Sequence, residues 1–204
     1  MSIDIATVIL AGGNSSRIKG FKPLIKLLGR PLILYSIDIA HHISKNCYII
    51  VKNHRQYLRL KDIIENKNVH VIIEPKKTNG FHSLFSALST INHEFLFLIG
   101  CDTPLLEPTL PFLLYRHIGD FPAVVPGWSD GKLEPLAALY RKECFLKDFV
   151  PHSFHEFLMK IGAKIIYIDD LKINPISFFN INTIKDLEKI EDYININKNK
   201  TVNF

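Results

Sequence analysis

Short runs of β-branched and apolar residues recur along the chain, and each is followed by a longer stretch whose apolar residues return every three or four positions. IATVIL (5–10) precedes LILYSIDIAHHI (32–43), and CYIIV (47–51) precedes RQYLRLKDIIE (55–65). VHVIIE (69–74) precedes FHSLFSALSTI (81–91), and EFLFLIG (94–100) precedes TLPFLLYRHI (109–118). The runs are apolar throughout rather than alternating, as strands are when helices cover both faces of a parallel sheet. The rhythm therefore predicts βαβ units in a three-layer α/β/α, Rossmann-like fold. After FPAVVP (121–126) it changes. A turn-rich loop, GWSDGK, leads to a strand over LEPLAALY, a helix over HSFHEFLMKIG ending at Gly162 and a strand over KIIYID. FFNINTIKDLEKIEDYI closes the pattern with a strand end and a helix capped by Asn182 or Thr183. The sheet is thus expected to be mostly parallel with a short antiparallel element.

Length bears on how many cores to expect. At 204 residues, 47% hydrophobic and 22% charged, the chain suits one core, with no solenoid repeat and no Gly-, Pro- or Ser-rich linker. We draw one domain over 1–194 and a polar tail over 195–204, NINKNKTVNF. No apolar run approaches a bilayer span, and residues 1–12 lack the basic leader and cleavage site of a signal peptide. Cys47, Cys101 and Cys144 are odd in number, widely spaced and in no metal-ligand pattern, which points to the cytoplasm. A net charge of +5 suits an anionic ligand such as a nucleotide. No recognised nucleic-acid module accompanies it.

Chemistry enters at the ends of the strands, where ligands bind in open α/β sheets. Gly12 and Gly13 follow the first strand and let backbone N–H groups approach a ligand closely, while Arg17 and Lys22 add positive charge. Polyphosphate is the natural guest. Neither G-x-G-x-x-G nor the Walker pattern is present, which demotes a dehydrogenase and a P-loop ATPase. Asp102, after the most apolar strand, is placed to hold Mg²⁺ against phosphate oxygens or to cap the following turn. Asn180 and Asn182 flank an apolar residue and are expected on one face of a strand end, to bind phosphate or support the metal site. Asn53 is a candidate for the base or ribose pocket or a loop asparagine, and Trp128 for stacking on a flat ring or pinning a loop. Cys101 reads as a small buried hydrophobe, and His41, His42, His152 and His155 form no ligand pattern.

LAGGNSSRIKGFKPLIKLLGRPLI (10–33) resembles the L-A-G-G-x-S-x-R-M-G-x-x-K signature of sugar-nucleotide-type nucleotidyltransferases. FLFLIGCDTPLLEP (95–108), EPLAALYRKE (134–143) and FNINTIKDL (179–187) resemble, in order, three further segments of the molybdenum cofactor guanylyltransferase family. Together they cover nearly the whole chain. The resemblance implies the nucleotide-diphospho-sugar-transferase fold, transfer of GMP from GTP to the terminal phosphate of molybdopterin, and Mg²⁺ as cofactor. It implies Arg17, Lys22 and Asp102 as catalytic, with Asp102 on the metal. Leu10, Ala11, Gly12, Gly13, Lys22, Asn53, Glu74 and Asp102 are then expected on the nucleotide, and Asn180 and Asn182 on phosphate or acceptor. Implied partners are GTP, molybdopterin and a molybdopterin-delivering protein, with neither nucleic acid nor membrane, and a monomer or weak homo-oligomer is expected. The chain departs from the pattern at Lys19, Gly20 and Phe21, and NGFHS (79–83) replaces a G-P-L-x-G turn, where Glu74 offers a carboxylate to guanine. CTP on molybdopterin, GTP on another phosphorylated acceptor such as a cobinamide, and a non-catalytic nucleotide-binding protein stay open alternatives.

Overall fold

The computed structural model describes residues 3–13, 20–76, 80–146, 149 and 151–201, with 198–201 described by backbone alone. The apolar runs form strands β1 (Ile5–Leu10), β4 (Cys47–Val51), β5 (His70–Ile73), β6 (Phe95–Gly100), β7 (Ala123–Gly127), β8 (Ala137–Arg141) and β9 (Lys164–Tyr167). A small ribbon pairs β2 (Lys26–Leu27) with β3 (Arg30–Pro31). The periodic stretches form α1 (Leu32–Ile43), α2 (His54–Ile64), α3 (Phe81–Ser89), α4 (Leu110–Tyr115), α5 (Phe154–Ile161) and α6 (Ile184–Thr201).

The seven long strands make one sheet in the order β5-β4-β1-β6-β8-β7-β9. All pairs are parallel except β6–β8 and β7–β8, so β8 is the antiparallel element the sequence leads one to expect. Alternation along β1 sends Ile5 and Ile9 to one face, against Ile33 and Ile37 of α1, Leu60 of α2 and Leu110 of α4. Ala6 and Val8 go to the other, against Phe85 of α3 and Phe157 and Leu158 of α5. Each fully buried Ile, Val, Leu or Phe among them contributes about 1.5–3 kcal/mol. The Phe85 and Phe157 rings meet edge to face at 4.6 Å and lock α3 to α5 across that layer.

The expected strand end over FFNINT is absent. Pro175 opens a 3₁₀ turn over Pro175–Phe178, and the chain then runs past the sheet without joining a ladder. The Ile181 N–H ties it to the tip of β6 by donating to the carbonyl of Asp102 at 2.9 Å. Buried Ile181 packs with Leu27, Leu32 and Ile190 in a separate small core beneath α6. Within the segment 195–204, α6 continues as helix to Thr201.

Candidate functional site

The carboxyl ends of β1, β4, β5 and β6 open onto a cleft of about 380 Å³, within the size range of small-ligand sites. Leu10, Gly12, Gly13, Lys22, Glu74 and Asp102 line it, with Lys52 and Phe81 among their neighbours. The chain crosses from one side of β1 to the other at this point, which is where open α/β sheets leave a crevice.

Lys22 begins a 3₁₀ turn, Lys22–Leu24, whose φ is fixed by Pro23. Its ammonium donates to Asp102 Oδ2 at 2.6 Å and to Asn182 Oδ1 at 2.8 Å. Three segments far apart in sequence therefore meet at one point, and the charged pair is mostly shielded, with 16% and 19% of its side chains exposed. Asp102 reaches this pose because β6 ends in glycine: a Cβ on Gly100 would lie 2.3 Å from Asp102 Oδ1. Gly12 has a similar role, since a Cβ there would lie 3.0 Å from the backbone nitrogen of Lys52 and 3.5 Å from Glu74 Oε1. Substituting either glycine intrudes on the cleft. Glu74 is held by the Ser83 hydroxyl, which donates to its Oε2 and leaves Oε1 toward Gly12.

Other expected residues fall elsewhere. Arg17 lies outside the described residues. Ala11 is buried, and its N–H extends the ladder to the Ile50 carbonyl rather than facing the cleft. Asn53 does not line the cleft; it caps α2, its Oδ1 accepting from the Gln56 N–H at 3.0 Å. Asn180 and Asn182 lie outside any ladder and have different partners: Asn182 accepts from Lys22, whereas the Asn180 amide donates to the Phe178 carbonyl. Trp128 pins a loop. Its indole N–H donates to Glu134 Oε1 at 2.7 Å and its ring meets Phe178 edge on. Cys101 is buried, and that burial, reinforced by the charge of Asp102, pushes its thiol up to about 12. It is no nucleophile at neutral pH.

Two residues at the site escaped sequence reasoning. Lys52 occupies the lining position one residue before Asn53, at the tip of β4. Gln56 joins the loops: the Lys52 N–H donates to its Oε1 at 2.8 Å, and its Nε2 donates to the Gly12 carbonyl at 3.3 Å. The available signal was the strand end itself, since Lys52 is the first polar residue after CYIIV.

Among the described residues no three His, Cys, Asp or Glu side chains gather into a metal cage. The donors present are hard oxygens, the Asp102 carboxylate and the Asn182 amide, side by side on Lys22. That set fits Mg²⁺, which takes one or two carboxylates and completes its shell with water and substrate phosphates. The arrangement can hold a metal-bound polyphosphate at one end and, at Glu74, a base that offers hydrogen-bond donors.

A family model described as the MobA-like NTP transferase domain matches residues 7–150. A relative from Thermococcus kodakarensis, named a probable molybdenum cofactor guanylyltransferase, is 30% identical over 89% of this chain and 92% of its own. Among solved structures, molybdopterin-guanine dinucleotide biosynthesis protein A of Archaeoglobus fulgidus superposes with a TM-score of 0.76 at 22% identity, covering 93% of this chain and 98% of that one. A CMP:2-keto-3-deoxy-manno-octonic acid synthetase complexed with CTP superposes at 0.71 and 14% identity, covering 95% and 99%. At these identities the two structures speak to the fold alone.

Proposed function

Because the chain belongs to the MobA-like NTP transferase family, we propose that it transfers GMP from GTP to the terminal phosphate of molybdopterin. An oxygen of that phosphate attacks the α-phosphorus, the bond from the α-phosphorus to the oxygen bridging to the β-phosphate breaks, and pyrophosphate leaves. The products are pyrophosphate and the guanine dinucleotide form of the cofactor. The observation that supports this best is the meeting of Lys22, Asp102 and Asn182 at the rim of the cleft that Glu74 also lines.

Such a reaction brings many negative charges together and needs cationic groups in fixed positions more than a covalent nucleophile. Lys22 turns from Asp102 and Asn182 toward the triphosphate and offsets charge on the departing pyrophosphate. Arg17, five residues before Lys22 in sequence, shares that task. Asp102, with Asn182 beside it, would hold Mg²⁺, which would supply positive charge to the phosphate oxygens. Gly12 and Gly13 admit the nucleotide to the backbone. Glu74 Oε1 accepts from the guanine N1–H and amino group, an edge that cytosine lacks. Cys47, Cys101 and Cys144 are buried, and their number and spacing favour the cytoplasm as the compartment.

The test is nucleotide choice. With molybdopterin and Mg²⁺ present, pyrophosphate release is expected with GTP and at most at trace level with CTP. Equal or better release with CTP overturns the guanylyl assignment, and nucleotide binding with no release from either overturns the enzymatic one.

A further inference from the structure

We propose that Lys52 reads the O6 atom of guanine and, paired with Glu74, selects guanine over other bases; the inference rests on the guanylyl transfer proposed above. Lys52 and Glu74 leave adjacent strands at neighbouring positions. Val51 of β4 is in register with Ile73 of β5, and the Glu74 N–H donates to the Val51 carbonyl at 2.9 Å. Both residues line the cleft and carry opposite charge, yet they form no ion pair with each other. Glu74 is anchored by Ser83 alone, and among the described residues the Lys52 ammonium meets no acceptor. A cation and an anion are thus presented side by side, unspent.

Their backbone is fixed although the lysine tip is exposed. Gln56 grips the Lys52 N–H and the Gly12 carbonyl together, and Lys52 Cβ lies 3.3 Å from where a Gly12 Cβ would be. The lysine stem is thereby held against the floor of the cleft. Spacing supports the assignment. From β4 to β6 is two strand intervals, about 10 Å, and from β5 three, about 14 Å, which is the reach from a base edge to the phosphates of the same nucleotide held at Asp102.

The charge order selects one base. Guanine offers the O6 acceptor followed by the N1–H and amino donors, so an ammonium and a carboxylate in that order match all three. Adenine and cytosine begin with an amino donor, which meets the lysine, and follow with an acceptor, which meets the carboxylate. Uracil places an acceptor where guanine has its amino group. Each mismatch leaves a charged group facing its like, and such sites discriminate strongly because a desolvated polar group goes unpaired.

Calorimetric titration of the whole protein with GTP, 6-thio-GTP and ITP, in Mg²⁺ and without acceptor, separates the contacts, because 6-thio-GTP weakens only the O6 acceptor and ITP lacks only the amino group. The intact protein is expected to prefer GTP over each analogue by about tenfold or more. Lys52→Met is expected to bring the GTP to 6-thio-GTP ratio to about one while leaving the GTP to ITP ratio intact. Glu74→Gln is expected to do the reverse. Equal weakening of all three nucleotides by Lys52→Met assigns the lysine to phosphate and overturns the inference, as does no weakening at all. Binding of CTP with no binding of GTP overturns the guanylyl reading instead, and the two failures are distinguishable.

Discussion

Asp102 owes its pose to a methyl group that is missing from the residue two positions before it. Gly100→Ala would place a Cβ 2.3 Å from Asp102 Oδ1, so the carboxylate must rotate off Lys22. We expect kcat for pyrophosphate release to fall about 10- to 100-fold while the far-ultraviolet spectrum stays native, because the change falls on a positioned charge rather than on the core. Wild-type kcat in this variant would contradict the role given to that pose. Lys22→Met is expected to cost a similar factor, and Lys22→Arg to recover part of it. The cysteines give a separate test. Burial pushes the thiols of Cys47 and Cys101 up to about 12, so at pH 8 native protein is expected to react with a thiol reagent only after denaturation. In the sequence Asp102 stands out as the charged residue after an apolar strand, and Lys22 as a charge close to the glycine pair within the segment 10–33 that carries the family resemblance. The sequence left Asn53 open between pocket and loop; Asn53 caps α2, while the adjacent Lys52 lines the cleft just beyond the strand boundary at Val51.

At the scale of elements, α6 is held by a reciprocal cap. Thr183 Oγ1 accepts from the Asp186 N–H, and Asp186 Oδ2 accepts from the N–H groups of Asn182 and Thr183. The cap also fixes the backbone of Asn182, whose side chain meets Lys22. Thr183→Ala is expected to lower stability by about 1 kcal/mol in chemical denaturation and to raise the KM for GTP. Burial alone would raise the Asp186 pKa, but the hydrogen bonds from Thr183 and Asn182 outweigh it and leave it below the usual 3.8. The carboxylate therefore favours the folded state above that value, and its contribution is lost as pH falls through the lower folded pKa. A denaturation series from pH 6 to pH 2 is expected to show the gap between wild type and Asp186→Asn closing at the acid end. Helix α1 was legible to the residue because its apolar stripe is unbroken. The β2–β3 ribbon was not, since its turn places Leu28 and Gly29 at φ 48° and 79° with leucine where asparagine or aspartate is the usual signal. A remote contact supports that turn: the Leu28 N–H donates to Glu191 of α6.

For the whole molecule, the order of strands places the proposed catalytic and base-reading groups along one rim. β1 sits between β4 and β6, so Asp102 and Lys52 flank the glycine loop from opposite sides. The βαβ rhythm of the sequence implied a parallel sheet, and that part was legible from local pattern. It led one to expect an antiparallel element but could not place that element between β6 and β7, because the Phe95–Arg141 pairing joins residues far apart in sequence. Nor could it show that the segment around Ile181 meets the tip of β6 through a single backbone bond rather than as a strand. The most direct measurement is an anomalous difference map from crystals grown with Mn²⁺ and GTP. The expected peak lies at coordination distance, ~2.1 Å, from Asp102, with the triphosphate against Lys22 and the base between Lys52 and Glu74. A metal and nucleotide bound away from Asp102 and Lys22 would contradict the account.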